Sequence, residues 1–531
     1  MKKTARILAL LLVLLLTLSA FTACSKSGST SGSGAPAQSG TSGGGSTPSG
    51  GNTPSGGGST PSGGKTEEPY EVTFVFVWAF AEPSQEGTAQ VEEVLNKYLA
   101  DKGYNFTVDI QFMSMFEYAA QMDLLLAAGT KVDIAFCGFA SGGVAGMVSN
   151  GYLVNLDPYL DNVLSDTAEL EGRWLDCGRV NGSCYAIPCM KGYAMTWCYL
   201  YQTQYIDGIG YDMSTINSFY DEEDMFAKLK AAYPEMLMDR YGDYDDIMNT
   251  YTKTARIGSF AATVGENASI VDYYETAAWR EAISWAWKYR QLGYLHPDGA
   301  QADTGMPNEN VFIGYNCPNE NDEETAALQV SGFWNGVPAG AKAYAVQNLE
   351  NTNLSWGIPY TSQNPKAAAT FLNLMWTDDY VLNLVMWGIE DVSYVMVEET
   401  RGDRMGAFVY KDGMDRMTLP YCLYECYGIF GNEFRMLRWE GCSAETRDWM
   451  KKNLDEAWAP PLFGFTPDNS DVSVQVSSCS NVANQYENAL LCGDLDPDQY
   501  NAVFVDALKT AGLDAILSEL NQQASDWLAL K

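Results

Sequence analysis

"EVTFVFVW" (residues 71–78) is a nearly unbroken apolar run rich in Val and Phe, the composition of a β-strand buried on both faces of a sheet. Downstream, "TAQVEEVLNKYLADKG" (88–103) places Val91, Val94, Leu95 and Leu99 at helical spacing and closes on Gly103, a helix stop. "FTVDIQF" (106–112) reads as a second strand, "MFEYAAQMDLLLAAG" (115–129) as a second helix ending in glycine, and "KVDIAF" (131–136) as a third strand. Strands and helices alternating with short links predict a parallel α/β sheet. Such sheets hold ligands beyond the carboxyl ends of their strands, which singles out the loops Trp78–Pro83 and Cys137–Gly143.

The chain before this unit cannot fold the same way. Lys2, Lys3 and Arg6 precede an apolar run from Ile7 to Leu18, short of the roughly 20 residues that cross a bilayer and about the length of a signal-peptide core. Phe21, Thr22 and Ala23 then stand before Cys24, an order that resembles the lipobox of a lipoprotein signal. In that reading residues 1–23 are removed and the Cys24 thiol carries diacylglycerol, whose chains hold a membrane by roughly 0.8 kcal/mol per buried methylene. An uncleaved anchor, or an ordinary signal followed by an incidental cysteine, is the alternative. Residues 24–66 repeat "GGGSTPSG" with hardly a large side chain, so they can bury nothing and form a tether. At roughly 5–6 Å times the square root of about 40 residues, its span is on the order of 35 Å.

The body from about residue 66 to Lys531 exceeds a single core and calls for two or more lobes. Loss of Lys2, Lys3 and Arg6 with the signal takes the formal charge from −35 to −38. That surface repels phosphate backbones and anionic headgroups, so no nucleic acid is expected and the membrane is met only through the N-terminal lipid. Of 12 cysteines, removing Cys24 from the count leaves an odd 11, scattered without CxxC pairs. Asn181 and Gly182 suit a tight hairpin turn that sets Cys184 opposite Arg179 and not Cys177, so mostly free, buried thiols are expected. A single histidine, His296, leaves Ser-His-Asp chemistry without a base and His-based zinc sites without ligands. No metal or cofactor is expected. "DLDPDQYN" (494–501) has Gln499 where a calcium loop needs Gly and reads instead as an Asp-rich helix start.

Further along, "YAIPCMKGYAMTWCYLY" (185–201) is apolar and aromatic, with Pro188 and Gly192 inside it, and fits a crossing between lobes. Helices follow at 221–235 and 274–293, the second stacking Trp279, Ile283 and Trp287 at core spacing. Several stretches carry a resemblance: "DIAFCG" after the second helix, "GYLVNLDPYLD", the hairpin and crossing "VNGSCYAIP", "GYLHPDG" (293–299), and "NPKAAATFLNLMWTDDYVLNLVMWGIEDVSYV" (364–395). Together they resemble the carbohydrate-type extracellular solute-binding lipoproteins of bacterial ABC importers. The last stretch is similar to the subgroup with an additional C-terminal domain of unknown function.

The resemblance implies a two-lobed, type II periplasmic-binding-protein-like α/β fold with hinge crossovers and a C-terminal α-rich or mixed extension. Lobe 1 is then expected at 67–190 with parts of 340–400, lobe 2 at 191–340 and the C-terminal region at 400–531. Such a protein closes on its solute, and an ABC permease recognises the closed state without any bond being broken. The solute would be a small molecule, a sugar or oligosaccharide, and sugars pack their apolar faces on aromatic rings. Trp78 ends the first strand and either touches ligand or plugs the next loop. Gly138 and Ser141 follow the third strand and either admit backbone amides to a ligand or make a plain tight loop. Tyr193 and Trp197 lie on the crossing. Trp334 and Asn335 join a ring to an amide in "SGFWNGVPAG", and Trp356 precedes Gly357 in "LSWGIPYTS". Trp387 and Glu390 are read as packing and capping residues. Two other readings stay open: a surface glycan hydrolase or adhesin, since 67 acids make a carboxylate pair easy to assemble, and an importer protein for a non-sugar solute such as a peptide.

Overall fold

The computed structural model describes residues 69–78, 81–138, 142–191, 194–195, 198–216, 218–239, 244–299, 313–316, 333–336, 344–345, 354–402, 404–415, 417–423, 430–440 and 444–530. For 194–195, 198–200, 313–316, 333–336 and 344–345, and for 445–446, 449 and 453, it describes the backbone alone. The leader and tether, with Cys24, lie outside these residues.

Strand β1 (Tyr70–Trp78) buries Val72, Phe74, Val75 and Phe76 at 0% exposure, as its two-sided apolar run requires. Helix α1 (Gln85–Asp101) starts at Ser84, whose side chain accepts the Gly87 N–H. Strand β2 (Phe106–Ser114) runs parallel to β1 from Tyr70 opposite Phe106 to Trp78 opposite Ser114. Helix α2 (Tyr118–Ala127) begins later than the sequence pattern predicts because Met115–Glu117 turn back on the strands. The Met115 N–H donates to the Trp78 carbonyl at 2.9 Å and the Glu117 N–H to the Ser114 carbonyl at 3.0 Å. Strand β3 (Ile134–Phe136), parallel to β1, is shorter than expected. Strands β4 (Arg179–Val180) and β5 (Ser183–Cys184) close on Asn181 and Gly182, at φ +50° and +82°. Two successive left-handed residues make the tight turn that Asn-Gly favours, and Cys184 stands opposite Arg179 as predicted. Strand β6 (Ala186–Pro188) follows.

The chain then leaves for lobe 2 through β7 (Ala194–Met195) and β8 (Cys198–Gln202). There α3 (Glu222–Ala232), the meander β9 (Thr254–Ile257), β10 (Ala261–Val264) and β11 (Asn267–Asp272), and α4 (Ala277–Gln291) pack around a second core. Trp279 and Ile283 on α4 are buried as their spacing predicts, whereas Trp287 is only partly so. Strands β12 (Ile313–Asn316) and β13 (Phe333–Gly336) flank β8, both antiparallel to it. The return passes β14 (Tyr344–Ala345), which pairs antiparallel with β7.

Back in lobe 1, β15 (Ser355–Gly357) slots antiparallel between β3 and β6, giving a 5-stranded sheet of order β2-β1-β3-β15-β6. Helices α5 (Pro365–Thr377) and α6 (Asp379–Trp387) follow, capped by Asn364 and Asp378. Trp387 is 1% exposed, a packing residue.

The stretch expected as one C-terminal region, 400–531, divides between the two cores. Strands β16 (Tyr394–Glu398), β17 (Ala407–Tyr410) and β18 (Arg438–Trp439) form a small sheet, and Phe408, Tyr421, Phe430 and Leu437 belong to the lobe 1 core. After α7 (Ala444–Glu456), helices α8 (Ser473–Leu491), α9 (Pro497–Ala511) and α10 (Leu513–Leu528) bury Cys479, Leu490, Phe504, Leu508, Ile516 and Leu520 in the lobe 2 core. Asp496 caps α9 by accepting the Asp498 N–H at 3.0 Å, so "DLDPDQYN" is the helix start expected. The described cysteines, Cys137, Cys177, Cys184, Cys189, Cys422, Cys479 and Cys492, are buried thiols.

Candidate functional site

The carboxyl ends of β1, β2 and β3 fall on one edge of the lobe 1 sheet. Trp78 closes β1 there, partly buried, with its carbonyl held by the Met115 amide at 2.9 Å. Next to it, on the turn after β2, Phe116 is 61% exposed among the described residues. The sequence pattern hid Phe116 by assigning it to the following helix. Its signal was available, since the helical stripe of Tyr118, Met122 and Leu126 leaves Phe116 off the buried face. Gly138 follows β3 on the same edge and is buried beside Cys137, whose amide donates to the Ser355 carbonyl at 2.8 Å. Burial pushes the Cys137 thiol far above its ordinary range, so it is no nucleophile at neutral pH.

Trp356 is elsewhere. It is 0% exposed and ringed by Phe74, Phe76 and Phe136, each with its centroid at 5.3 Å, and by Phe430 at 4.3 Å. Its backbone pairs with Phe136 and Ile187, so the strand of which it is the middle residue turns the indole into the sheet core. The expectation of a ligand contact there is corrected: the ring is packing. Trp334 and Asn335 have their backbone in β13, opposite Tyr201 and Leu200, and their side chains lie outside the described residues. Ser141, Tyr193 and Trp197 also lie outside them. The structure therefore brings together Trp78, Gly138 and the added Phe116.

The opposite, amino edge of the sheet carries the polar cluster. Asp133, 0% exposed, accepts from the Tyr70 hydroxyl at 2.7 Å, the Thr73 amide at 2.8 Å and the Ser362 hydroxyl. Burial first, then the bond to Asp133, pushes the Tyr70 phenol up to about 12. This cluster ties the segment after β15 to β1 and faces away from the carboxyl edge. A separate groove of about 490 Å³ lies between α4 and α9, lined by charged and amide groups such as Glu275, Arg280, Asn501 and Lys509 and by no aromatic ring. It lacks a stacking surface. Among the described residues no group of three or more His, Cys, Asp or Glu is placed to hold a metal ion. Chemically, the carboxyl edge offers apolar ring surface, from the partly exposed Trp78 and the exposed Phe116.

Two lobes, linked by paired crossing strands and carrying such an edge, have the architecture of a solute-binding fold. The chain belongs to the family of bacterial extracellular solute-binding proteins, whose profile matches residues 82–381. Members of this family are binding proteins. A second profile, a domain of unknown function (DUF3502), matches residues 461–529, the helices that complete the lobe 2 core. A carbohydrate ABC transporter substrate-binding protein of Streptococcus pneumoniae is 21% identical over 452 residues, 82% of this chain and 87% of the relative. The N-glycan transport solute binding protein NgtS of the same organism matches in structure with a TM-score of 0.69 at 19% identity, covering 87% of this chain and 99% of that one. An HMO binding, ABC-transporter associated solute binding protein of Bifidobacterium longum infantis gives a TM-score of 0.60 at 14% identity, covering 87% of this chain and 99% of that one. The fold class expected from the strand pattern and the motifs is therefore the one found.

Proposed function

We propose that the protein captures an oligosaccharide between its two lobes and hands it to an ABC permease, tethered outside the cytoplasm by a lipid on Cys24. It acts on its ligand by binding alone and breaks no bond. The observation that carries this reading is the pair of rings at the carboxyl edge of lobe 1, Trp78 partly exposed and Phe116 61% exposed, on a fold shared over 87% of the chain with an N-glycan transport solute binding protein. A sugar laid on such rings buries its apolar face while its hydroxyls take directed hydrogen bonds, with Gly138 kept in the proposed contact set. Ser141, Tyr193, Trp197, Trp334 and Asn335 complete the set of proposed contacts. Binding across both lobes favours the closed form by the ligand's differential affinity for it.

The reading is tested by melting the protein against a panel of neutral and acidic oligosaccharides and chromatographing each glycan afterwards. A rise in melting temperature with at least one glycan, recovered intact, is expected. A shift only with peptides or other solutes removes the carbohydrate assignment, and a shortened glycan replaces the transporter role with a hydrolase.

A further inference from the structure

The chain passes between the two cores once more at residues 444–465, and between its two buried ends it makes one exposed polar contact. Helix α7 lies against β7 and β14, the strand pair of the other two crossings. On the lobe 1 side Met450, Leu454 and Ala457 join Trp174, Cys177 and Phe434 in a buried cluster. Arg173 donates to the Leu454 and Ala457 carbonyls, both at 3.0 Å, and the Arg447 guanidinium to the Met436 carbonyl. Towards lobe 2, before Leu462 and Phe465 enter its core, the connector makes one polar, partly exposed contact. The Trp458 Nε1–H donates at 2.9 Å to Glu266 Oε1, on the turn between β10 and β11. Lys253 Nζ stands 5.3 Å from the centre of the Trp458 ring and 3.3 Å from the same carboxylate oxygen.

Four residues later the side chains alternate between the lobes. Leu462 and Phe465 enter the lobe 2 core, while Phe463 between them meets Trp174 edge-on at 5.1 Å in the lobe 1 cluster. Gly464 makes the alternation possible at φ +83°, with Asp176 so close that a Cβ there would lie 2.9 Å from its backbone oxygen.

We infer that Trp458 is a positioning residue for solute capture: with Glu266 and Lys253 it latches lobe 2 to a connector that is fixed on lobe 1, and so limits how far the lobes swing. The apolar end, buried and bonded to backbone carbonyls, holds. The latch yields, because the side chains of Lys253 and Glu266 are 49% and 77% exposed and exchange their contact with water. An exposed contact of this strength biases a two-state balance by roughly several-fold, a bias that ligand binding can reverse.

The test is the interlobe distance distribution by pulsed electron paramagnetic resonance in the full chain. Labels are carried on keto-bearing amino acids at Leu124 and Leu292, which are 71% and 48% exposed. Trp458→Ala and Glu266→Ala each widen the distribution about twofold, and Trp458→Phe, which keeps the ring without the N–H, falls between them and the wild type. Lys228→Met, which removes an ion pair with Asp224 elsewhere on lobe 2, leaves the width unchanged. Glu266→Ala alters only an exposed turn and keeps the test intact if Trp458→Ala folds poorly. An unchanged width in Glu266→Ala, or equal widening in Lys228→Met, overturns the inference. No ligand enters the measurement, so its outcome is independent of the solute's chemistry.

Discussion

Replacing Glu171 by Gln makes the stability of lobe 1 lose much of its dependence on pH. The Glu171 side chain is 1% exposed; its Oε1 accepts the Trp376 Nε1–H at 2.6 Å, and its Oε2 is buried with no hydrogen-bond partner among the described residues. Burial, opposed in part by the Trp376 bond, pushes the carboxyl from 4.5 up to about 8. The folded protein therefore holds this proton more tightly than the unfolded chain does. Its stabilising contribution is complete below about pH 4.5, is lost as the pH rises to about 8, and is constant above that. At about 1.4 kcal/mol per pH unit the gap amounts to about 5 kcal/mol. The substituted amide has no proton to lose, and its carbonyl still accepts from Trp376. Urea unfolding followed by tryptophan fluorescence is expected to put the two proteins within about 1 kcal/mol of each other near pH 5, and Glu171→Gln ahead by about 3–5 kcal/mol near pH 8.5. Stability curves that stay parallel across this range would refute the reasoning, because they would mean that Glu171 is ionised in the folded state throughout.

Cys24→Ala is expected to release the protein from the membrane fraction and to leave glycan affinity unchanged, as metabolic labelling with a fatty acid and a binding titration on the soluble form would record. Trp78→Ala and Phe116→Ala are each expected to weaken glycan binding about ten- to a hundredfold by calorimetry, the loss of one stacking ring, with little change in melting temperature. Gly464→Ala is expected to cost about 2–4 kcal/mol in urea unfolding, since the added Cβ meets Asp176 and the left-handed backbone strains any other residue.

Local rules carried the sequence reading a long way in lobe 1. The apolar run of β1, the helical spacing of Val91, Leu95 and Leu99, and Asn181-Gly182 each depend on neighbours within a few residues, and each stands where the pattern put it. What escaped was set by contacts distant in the chain. β15 is only Ser355–Gly357 and pairs with strands some two hundred residues earlier, so nothing beside Trp356 in the sequence announces that its ring fills the lobe 1 core. For the same reason the helices beyond Leu462 read as a terminal extension, although Trp279 of α4 donates to Asn501 of α9 at 2.8 Å and the two share one core. Phe116 was missed through a boundary error, because the turn that exposes it depends on the Trp78 carbonyl across the sheet.

The central claim, a two-lobed trap for an intact oligosaccharide, is met most directly by native mass spectrometry of the protein after incubation with a glycan panel. The account predicts a complex of one protein and one glycan of unaltered mass, lost or greatly weakened in Trp78→Ala. Retention of no glycan, or of glycans shortened relative to those supplied, would contradict it.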